Sequence, residues 1–257
     1  MRVLIIAVCL SLWTGVARAA SLPKPTPRPT AAEQYLFSAA NAQREHLGLP
    51  PLRWDDALYQ AAAYHAQQMV KRGSISHQYN GEADPPSRAA AAGDRFSLVE
   101  ENVAEAYSPA MIQLGWMLSP GHRQNMLDPQ VDSVAIRVVK GSDGEFYAVE
   151  DLGHWLPEQS FAQQEEQVEH RLESSSPLKV LKGTPAARKI CAQNSGYAGR
   201  REPAYVVWYR SSNLQWLPSE LKQRLSSGRY RQAAVGACPA KDSQGFAEYN
   251  IAVLLYR

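Results

Sequence analysis

"VDSVAIRVVKGSDGEFYAVEDLG", Val131 to Gly153, decides the fold class. Two runs rich in Val, Ile, Phe and Tyr flank Gly141 and the Asp143-Gly144 step, and an Asp-Gly step between such runs marks a β-hairpin. Upstream of it the chain alternates helical periodicity with polar turns. Helices therefore come first and a hairpin follows, which predicts an α+β layered domain over about residues 31–154.

Working back toward the start, Leu36, Ala39, Ala40 and Leu47 keep a helical period from Ala31 onward, and Gly48 with Pro50-Pro51 ends that element. A second helix runs from about Asp55 to Arg72, with Leu58, Ala61, Ala62, His65 and Met69 on one face and Gly73 at its close. "SISHQYNGEADPPSR" is polar and turn-rich and carries His77 and Glu82 on a loop, followed by a short helix around "PPSRAAAAG". "LVEENVAEAY" brings two adjacent carboxylates, Glu100 and Glu101, and Ser108 to Leu118 reads as another helix. Then comes "WMLSPGHRQNML". Ser119 suits an N-cap and Pro120 the first helical position, which puts His122 in a first helical turn. Exposed amides and the macrodipole there disfavour added positive charge, so the imidazole should stay neutral with a lone pair available.

The ends of the chain bound its location. "MRVLIIAVCLSLWTGVARAA" has a basic start, an apolar run and Ala17-Arg18-Ala19 as a small-x-small cleavage site, so residues 1–19 read as a secretory signal peptide whose core is too short to span a bilayer. Its removal takes Cys9, Arg2 and Arg18, leaving 25 basic against 25 acidic residues. That balance argues against nucleic acid, or an anionic membrane, held by charge. No later segment is apolar enough to cross a membrane, and the expected location is extracellular or periplasmic. Cys191 and Cys238 remain in a chain bound for an oxidising compartment, and one disulfide is their simplest arrangement.

Residues 20–30, with Pro at 23, 25, 27 and 29, read as a stiff spacer. Residues 155–177 are charged and poor in bulky apolar side chains, a linker with at most a solvated helix in the middle. Residues 178–257 then read as strand, helix, strand, strand: a small β-rich module closed by the disulfide. Its "GFAEYNIAV" loosely echoes "GEFYAV" of the hairpin; of the two readings, a degenerate duplication and the general likeness of β-hairpins, the second is the expectation.

No H-E-x-x-H, C-x-x-C, G-x-S-x-G or phosphate-binding glycine loop occurs. The chemistry-bearing residues are dispersed: His77, Glu101 ahead of Asn102, and His122. His65 lies on an apolar helix face and reads as a core histidine, and His46, His154 and His170 read as solvated. Trp54 and Trp116 read as core, Asn41 and Arg44 as ties between loops, and Glu105 and Asp128 as surface acids.

Taken together, "NAQREHLGLPPLRWDDALYQAAAYHAQQM", "SISH", "ENVAEAY", "GWMLSPGHRQNML" and the hairpin ending "FYAVEDLG" resemble the CAP superfamily of cysteine-rich secretory, antigen 5 and pathogenesis-related-one proteins, in its bacterial secreted, SCP-like branch. The resemblance covers about residues 36–153. It implies a three-layer α-β-α sandwich with a cleft where two histidines and two glutamates bind a divalent cation such as zinc. Carried over residue by residue, His77, Glu101 and His122 match three of the four. The fourth acid is absent from its place after Trp116, where Met117, Leu118 and Ser119 follow, and Glu82 or Glu100 are the candidates to replace it. Two imidazoles with a carboxylate as third ligand, or as base toward a bound water, would leave a coordination position open. The resemblance thus implies a binding or interaction module whose cleft takes a cation or a small extracellular ligand. The alternatives are a metal-assisted hydrolase with Glu101 as general base, and a lipid or sterol carrier; a cell-wall component is a further kind of partner. A purely structural role, with His and Glu hydrogen-bonding each other to fix the loops, stands beside them.

Overall fold

Thr30 starts the first helix as its side chain and that of Glu33 cap each other's backbone, giving α1 (Ala31–His46). Asp55 does the same for α2 (Asp56–Arg72), accepting from the amides of Ala57 and Leu58, and Gly73 ends it in the left-handed conformation at φ 60°. The computed structural model describes residues 28–93, 95–183, 185–193, 201–240 and 246–257. The expected signal peptide and most of the proline-rich spacer lie outside them. Three short helices follow, α3 (Pro85–Ala91), α4 (Pro109–Leu118) and α5 (Pro120–Met126), each with proline in its first turn, where no amide hydrogen bond is lost. Ser119 occupies the N-cap of α5 as expected, but its side chain makes no capping hydrogen bond.

The strands β1 (Arg53–Trp54), β2 (Phe96–Ala106), β3 (Ser133–Lys140) and β4 (Phe146–Trp155) form one sheet in the order β1-β3-β4-β2. β1 runs parallel to β3, and the other neighbours are antiparallel. The predicted hairpin is β3 and β4. β2 is a strand where sequence patterning showed only paired carboxylates, because Glu100, Glu101 and Asn102 interrupt its apolar alternation.

Successive strand residues face opposite sides of a sheet. On one side Val134, Ile136, Val138, Ala148 and Leu152 pack against Leu36 and Ala40 of α1, Ile112 and Trp116 of α4 and Met126 of α5. On the other, Ala135, Val103, Tyr147 and Val149 meet Leu58, Ala62, Ala66 and Met69 of α2 and Ala89 of α3. This is the three-layer sandwich that the resemblance implied. Arg44 ties α1 to the loop after α5, donating to the carbonyls of Pro50, Met126, Asp128 and Val131, and Asn41 exchanges two hydrogen bonds with the backbone of Leu52.

The segment read as a charged linker is instead α6 (Phe161–Ser175), packed on a second sheet. Val168 and Leu172, four residues apart, supply its core contact, and of the two acids buried beside them Glu165 accepts from the Arg188 guanidinium at 2.6 Å, while burial raises the pKa of Glu169 against the charge of Lys182. A two-residue apolar stripe among Gln and Glu looks solvated in sequence, yet it suffices once a sheet covers it and Arg188 pairs Glu165. The strands β5 (Lys179–Leu181), β6 (Tyr205–Ser211), β7 (Gln232–Cys238) and β8 (Tyr249–Tyr256) form that sheet in the order β5-β7-β8-β6, with α8 (Ser219–Ser226) on the α6 side. On the opposite side lies α7 (Pro185–Gln193), which sequence patterning did not show. α7 approaches β7 at Gly236, where any side-chain carbon would collide with the Ala187 carbonyl. Cys191 of α7 and Cys238 of β7 form the expected disulfide. The two halves meet where Leu156 joins the second core, the Ala247 amide donates to the Phe96 carbonyl and the Tyr249 hydroxyl to the Pro157 carbonyl, both at 2.7 Å.

Candidate functional site

His77 sits on the loop after α2, and that loop is held from below. The ring nitrogens of His65, fully buried on α2, face the Glu82 carboxylate at 2.8 Å and the Ser76 carbonyl at 2.6 Å. Glu82 also accepts from the Tyr79 amide at 3.1 Å. Glu82, a candidate ligand group by sequence, is thus committed to holding the loop in shape. His65 is the core histidine that its apolar helix face predicted.

Glu101 points from β2 to the same side of the sheet. One carboxylate oxygen lies 2.9 Å from His77 Nδ1, and the other accepts from the Arg88 guanidinium. Arg88, on α3 and almost fully buried, also donates to the carbonyls of His77 at 3.1 Å and Ala83 at 2.8 Å. It is the strut that joins loop, helix and strand. The pattern "PPSRAAAAG" gave no signal for it, since one arginine in a short helix reads as a solvated residue.

Burial separates the two partners of the central contact. The Glu101 side chain is 1% exposed and that of His77 56%, so the imidazole stands at the surface with its Nδ1 edge anchored on a buried carboxylate. The hydrogen bond to Glu101 raises the His77 pKa above its ordinary 6.5, against partial desolvation. His122, at the start of α5, is pushed the other way: burial lowers its pKa first, and the charge of His77 second. The neutral His122 expected from helix-end electrostatics is therefore favoured, but by desolvation and a neighbouring imidazole. The charge of His77 is thus felt at the His122 ring.

Directly across the β2–β4 ladder from Glu101 is Asp151, fully buried. Its carboxyl is held well above the usual carboxylate range, by burial first and then by the charge of Glu101, with Arg88 opposing. Sequence reading missed it because its place beside Glu101 depends on strand register.

Glu100 and Asn102 face the opposite side of the sheet, under α4 and α5. Glu100, the other sequence candidate, is pushed up to about 7 by desolvation and by Asp128. Alternation along the strand keeps it apart from the Glu101 pocket. Asn102 donates to Glu150 Oε2 at 2.7 Å and to the His122 carbonyl at 3.0 Å, and Asn125 donates to Asn102 Oδ1 at 3.0 Å and to the Glu101 carbonyl at 3.3 Å. These amides fix the start of α5, and with it His122, relative to β2.

The structure therefore brings His77 and Glu101 into contact, with His122 feeling the charge of His77. It leaves Glu82 and Glu100 with other surroundings. Among the described residues no group of three or more His, Cys, Asp or Glu side chains is arranged to hold a metal ion. Both Glu101 oxygens are already engaged, one by His77 and one by Arg88. What the arrangement offers is an outward imidazole edge on His77, whose other nitrogen is oriented by a carboxylate, and a second imidazole biased toward its neutral form.

Residues 37–152 match the model of the cysteine-rich secretory protein family, CAP. The uncharacterized protein YkwD of Bacillus subtilis is 29% identical over 112 residues, 43% of this chain and 44% of that protein, so the chain spans less than half of this relative's length. Among solved structures, an outer surface protein from Borrelia burgdorferi aligns with 48% of this chain and 92% of its own at 22% identity and a TM-score of 0.46. An extracellular protein containing an SCP domain from Bacillus anthracis aligns with 48% of this chain and 40% of its own at 26% identity and a TM-score of 0.43.

Proposed function

Because this chain belongs, through residues 37–152, to the CAP superfamily, we propose that it is an exported binding module whose ligand is a divalent cation, or a small molecule carrying one, seated by His77 and His122. The observation that carries this reading is the 2.9 Å contact between His77 Nδ1 and Glu101. A carboxylate on one ring nitrogen fixes the tautomer and presents the other nitrogen outward, the arrangement found behind metal-ligating histidines. In this reading Glu101 orients His77 and is not itself a ligand, which fits its second oxygen being occupied by Arg88. Two protein nitrogens leave the remaining positions of a bound ion to water or to ligand atoms, which suits a binding role. Zinc fits imidazole donors. Export is supported by residues 1–19 of the sequence, and among the described residues no helix is long and apolar enough to cross a membrane.

The test is equilibrium dialysis of zinc against the full chain and two variants. The wild-type chain should bind one ion, His77→Ala/His122→Ala should bind none, and Glu101→Gln should bind about 10–100-fold more weakly, as loss of an orienting carboxylate does elsewhere. Equal zinc binding by the double variant, or none by the wild type, removes the reading.

A further inference from the structure

The two halves of the chain repeat one another in element order. In the first, α1, β1, α2, β2, α4, β3 and β4 follow in sequence, with α3 and α5 as additions; in the second, α6, β5, α7, β6, α8, β7 and β8 do. Each sheet has its first strand parallel to its third, its third antiparallel to its fourth and its fourth antiparallel to its second. In each, the first and third of these helices cover one face and the second covers the other. We infer that the second half is another copy of the same fold in which the positions of the polar site are filled with apolar side chains, so that the chain carries one site and one silent counterpart.

A shared contact sets the residue equivalence. Glu33 of α1 accepts from the Val138 amide of β3 at 3.1 Å, and Glu165 of α6 accepts from the Ala237 amide of β7 at 3.0 Å. The buried helix positions keep the same spacing, Glu33, Leu36 and Ala40 against Glu165, Val168 and Leu172. With Val138 equated to Ala237, the parallel ladders also coincide: Arg53 pairs with Ser133 and Lys179 with Gln232. Across the hairpins Val138 faces Ala148 and Ala237 faces Ile251. Glu150 then corresponds to Val253 and Asp151 to Leu254. Their partners on the second strands, Asn102 and Glu101, correspond to Val207 and Val206. The faces agree independently: Val206 and Leu254 pack under α7, as Glu101 and Asp151 lie on the α2 side, while Val207 and Val253 pack with α6 and α8. The sequence echo between the hairpins is out of this register by one residue, since it sets Val149, on the α2 side, against Val253, on the α6 side.

The replacement has a physical reason. In the first half the buried polar side chains at the middle of the sheet depend on their surroundings: Arg88 of α3 and His77 of the α2–α3 loop pair Glu101, Asn125 of α5 pairs Asn102, Asn102 pairs one oxygen of Glu150, and the Asp151 carboxyl is held well above the usual carboxylate range by burial. Between α8 and β7, where α5 stands in the first half, the described residues 227–231 hold no helix. A carboxylate at position 253 would lack the amide that Asn102 gives Glu150, since Val207 stands across the ladder from it, and an apolar side chain is the stable alternative.

Backbone-assigned NMR of the full chain tests this, with the zinc ion as probe; only the zinc arm rests on the reading of the first site. Inter-strand contacts should give the order β5-β7-β8-β6, with Val206 against Leu254 and Val207 against Val253. Zinc should shift signals around His77, Glu101 and His122 and none around residues 206–207 and 253–254. Another strand order, or a one-residue slip that puts Val207 on the α7 side, overturns the copy. Zinc shifts at residues 206–207 or 253–254 overturn its silence. Zinc shifts nowhere would remove the reading of the first site and uphold a silent second half.

Discussion

The two sheets share strand order, strand direction and helical cover, yet one carries Glu101, Asn102, Glu150 and Asp151 where the other carries Val206, Val207, Val253 and Leu254. The half with the polar quartet has no cysteine after residue 9, and the apolar half is stapled by Cys191–Cys238. The same frame is thus compatible with a polar cluster or a plain core. What decides between them is whether neighbouring loops and helices deliver hydrogen-bonding partners. Functional polarity in the first half is a property of α3, α5 and the His77 loop as much as of the strands.

The sharpest way to break this comparison is to place a carboxylate in the apolar half. Val253→Glu buries a charge without the partner that Asn102 gives Glu150, and should cost about 3–5 kcal/mol in urea unfolding. Adding Val207→Asn directly across the ladder should restore part of that loss, because facing residues couple. Full tolerance of the single variant would show that apolar character at this position is not required. Next in size, replacing Cys191 and Cys238 together by alanine should cost about 2–4 kcal/mol, since the bridge spans 47 residues. Hydrogen exchange should accelerate first in β7 and α7; equal acceleration in β3 and β4 would show that the halves unfold as one.

Glu150 sharpens the contrast through pH. Its full burial raises the carboxyl from 4.5 to about 7, opposed by the hydrogen bond from Asn102. A carboxyl raised on folding favours the folded state below about 4.5, and that contribution is lost as pH rises through about 7. Glu150→Gln, neutral at every pH, should leave stability near pH 4.5 little changed and raise it at pH 8 by on the order of 3 kcal/mol, from a shift worth about 1.4 kcal/mol per unit. A pH-independent difference between variant and wild type would contradict this account of the buried acid.

The smallest expected effect is on the two imidazoles. His77 has a raised pKa, so its contact with Glu101 contributes fully below 6.5 and fades as pH rises through the folded-state value. His122 has a lowered pKa, so its buried neutral form contributes above 6.5, and that is lost as pH falls through its own folded-state value. In Glu101→Gln the His77 titration followed by NMR should move down toward 6.5. An unmoved titration would mean that the contact does not govern the ring.

Much of this was legible in the chain. The helix starts near Ala31 and Asp55, the stop at Gly73, the hairpin around Asp143-Gly144 and the disulfide follow from local chemistry, and the five blocks around His77, Glu101 and His122 pointed to the CAP fold. β2, α6 and α7 were hidden because each is judged by partners distant in sequence: buried acids interrupt β2, Gln and Glu dilute the stripe of α6, and α7 is short. Arg88 and Asp151 were hidden for the same reason. An arginine or aspartate becomes part of a site only when register and packing bring it to one.

Sequence alone determined where α1, α2 and α5 start, where α2 stops, and that two cysteines would pair, because these depend on groups within a few residues or on composition. Tertiary structure alone decided that Glu101 serves His77 and Arg88, that Glu100 faces away, that Glu82 holds a loop, and that the second sheet repeats the first. Strand register and alternation assign side chains to faces over separations of 50 residues and more, as between Glu101 and Asp151, and local pattern carries no record of that distance.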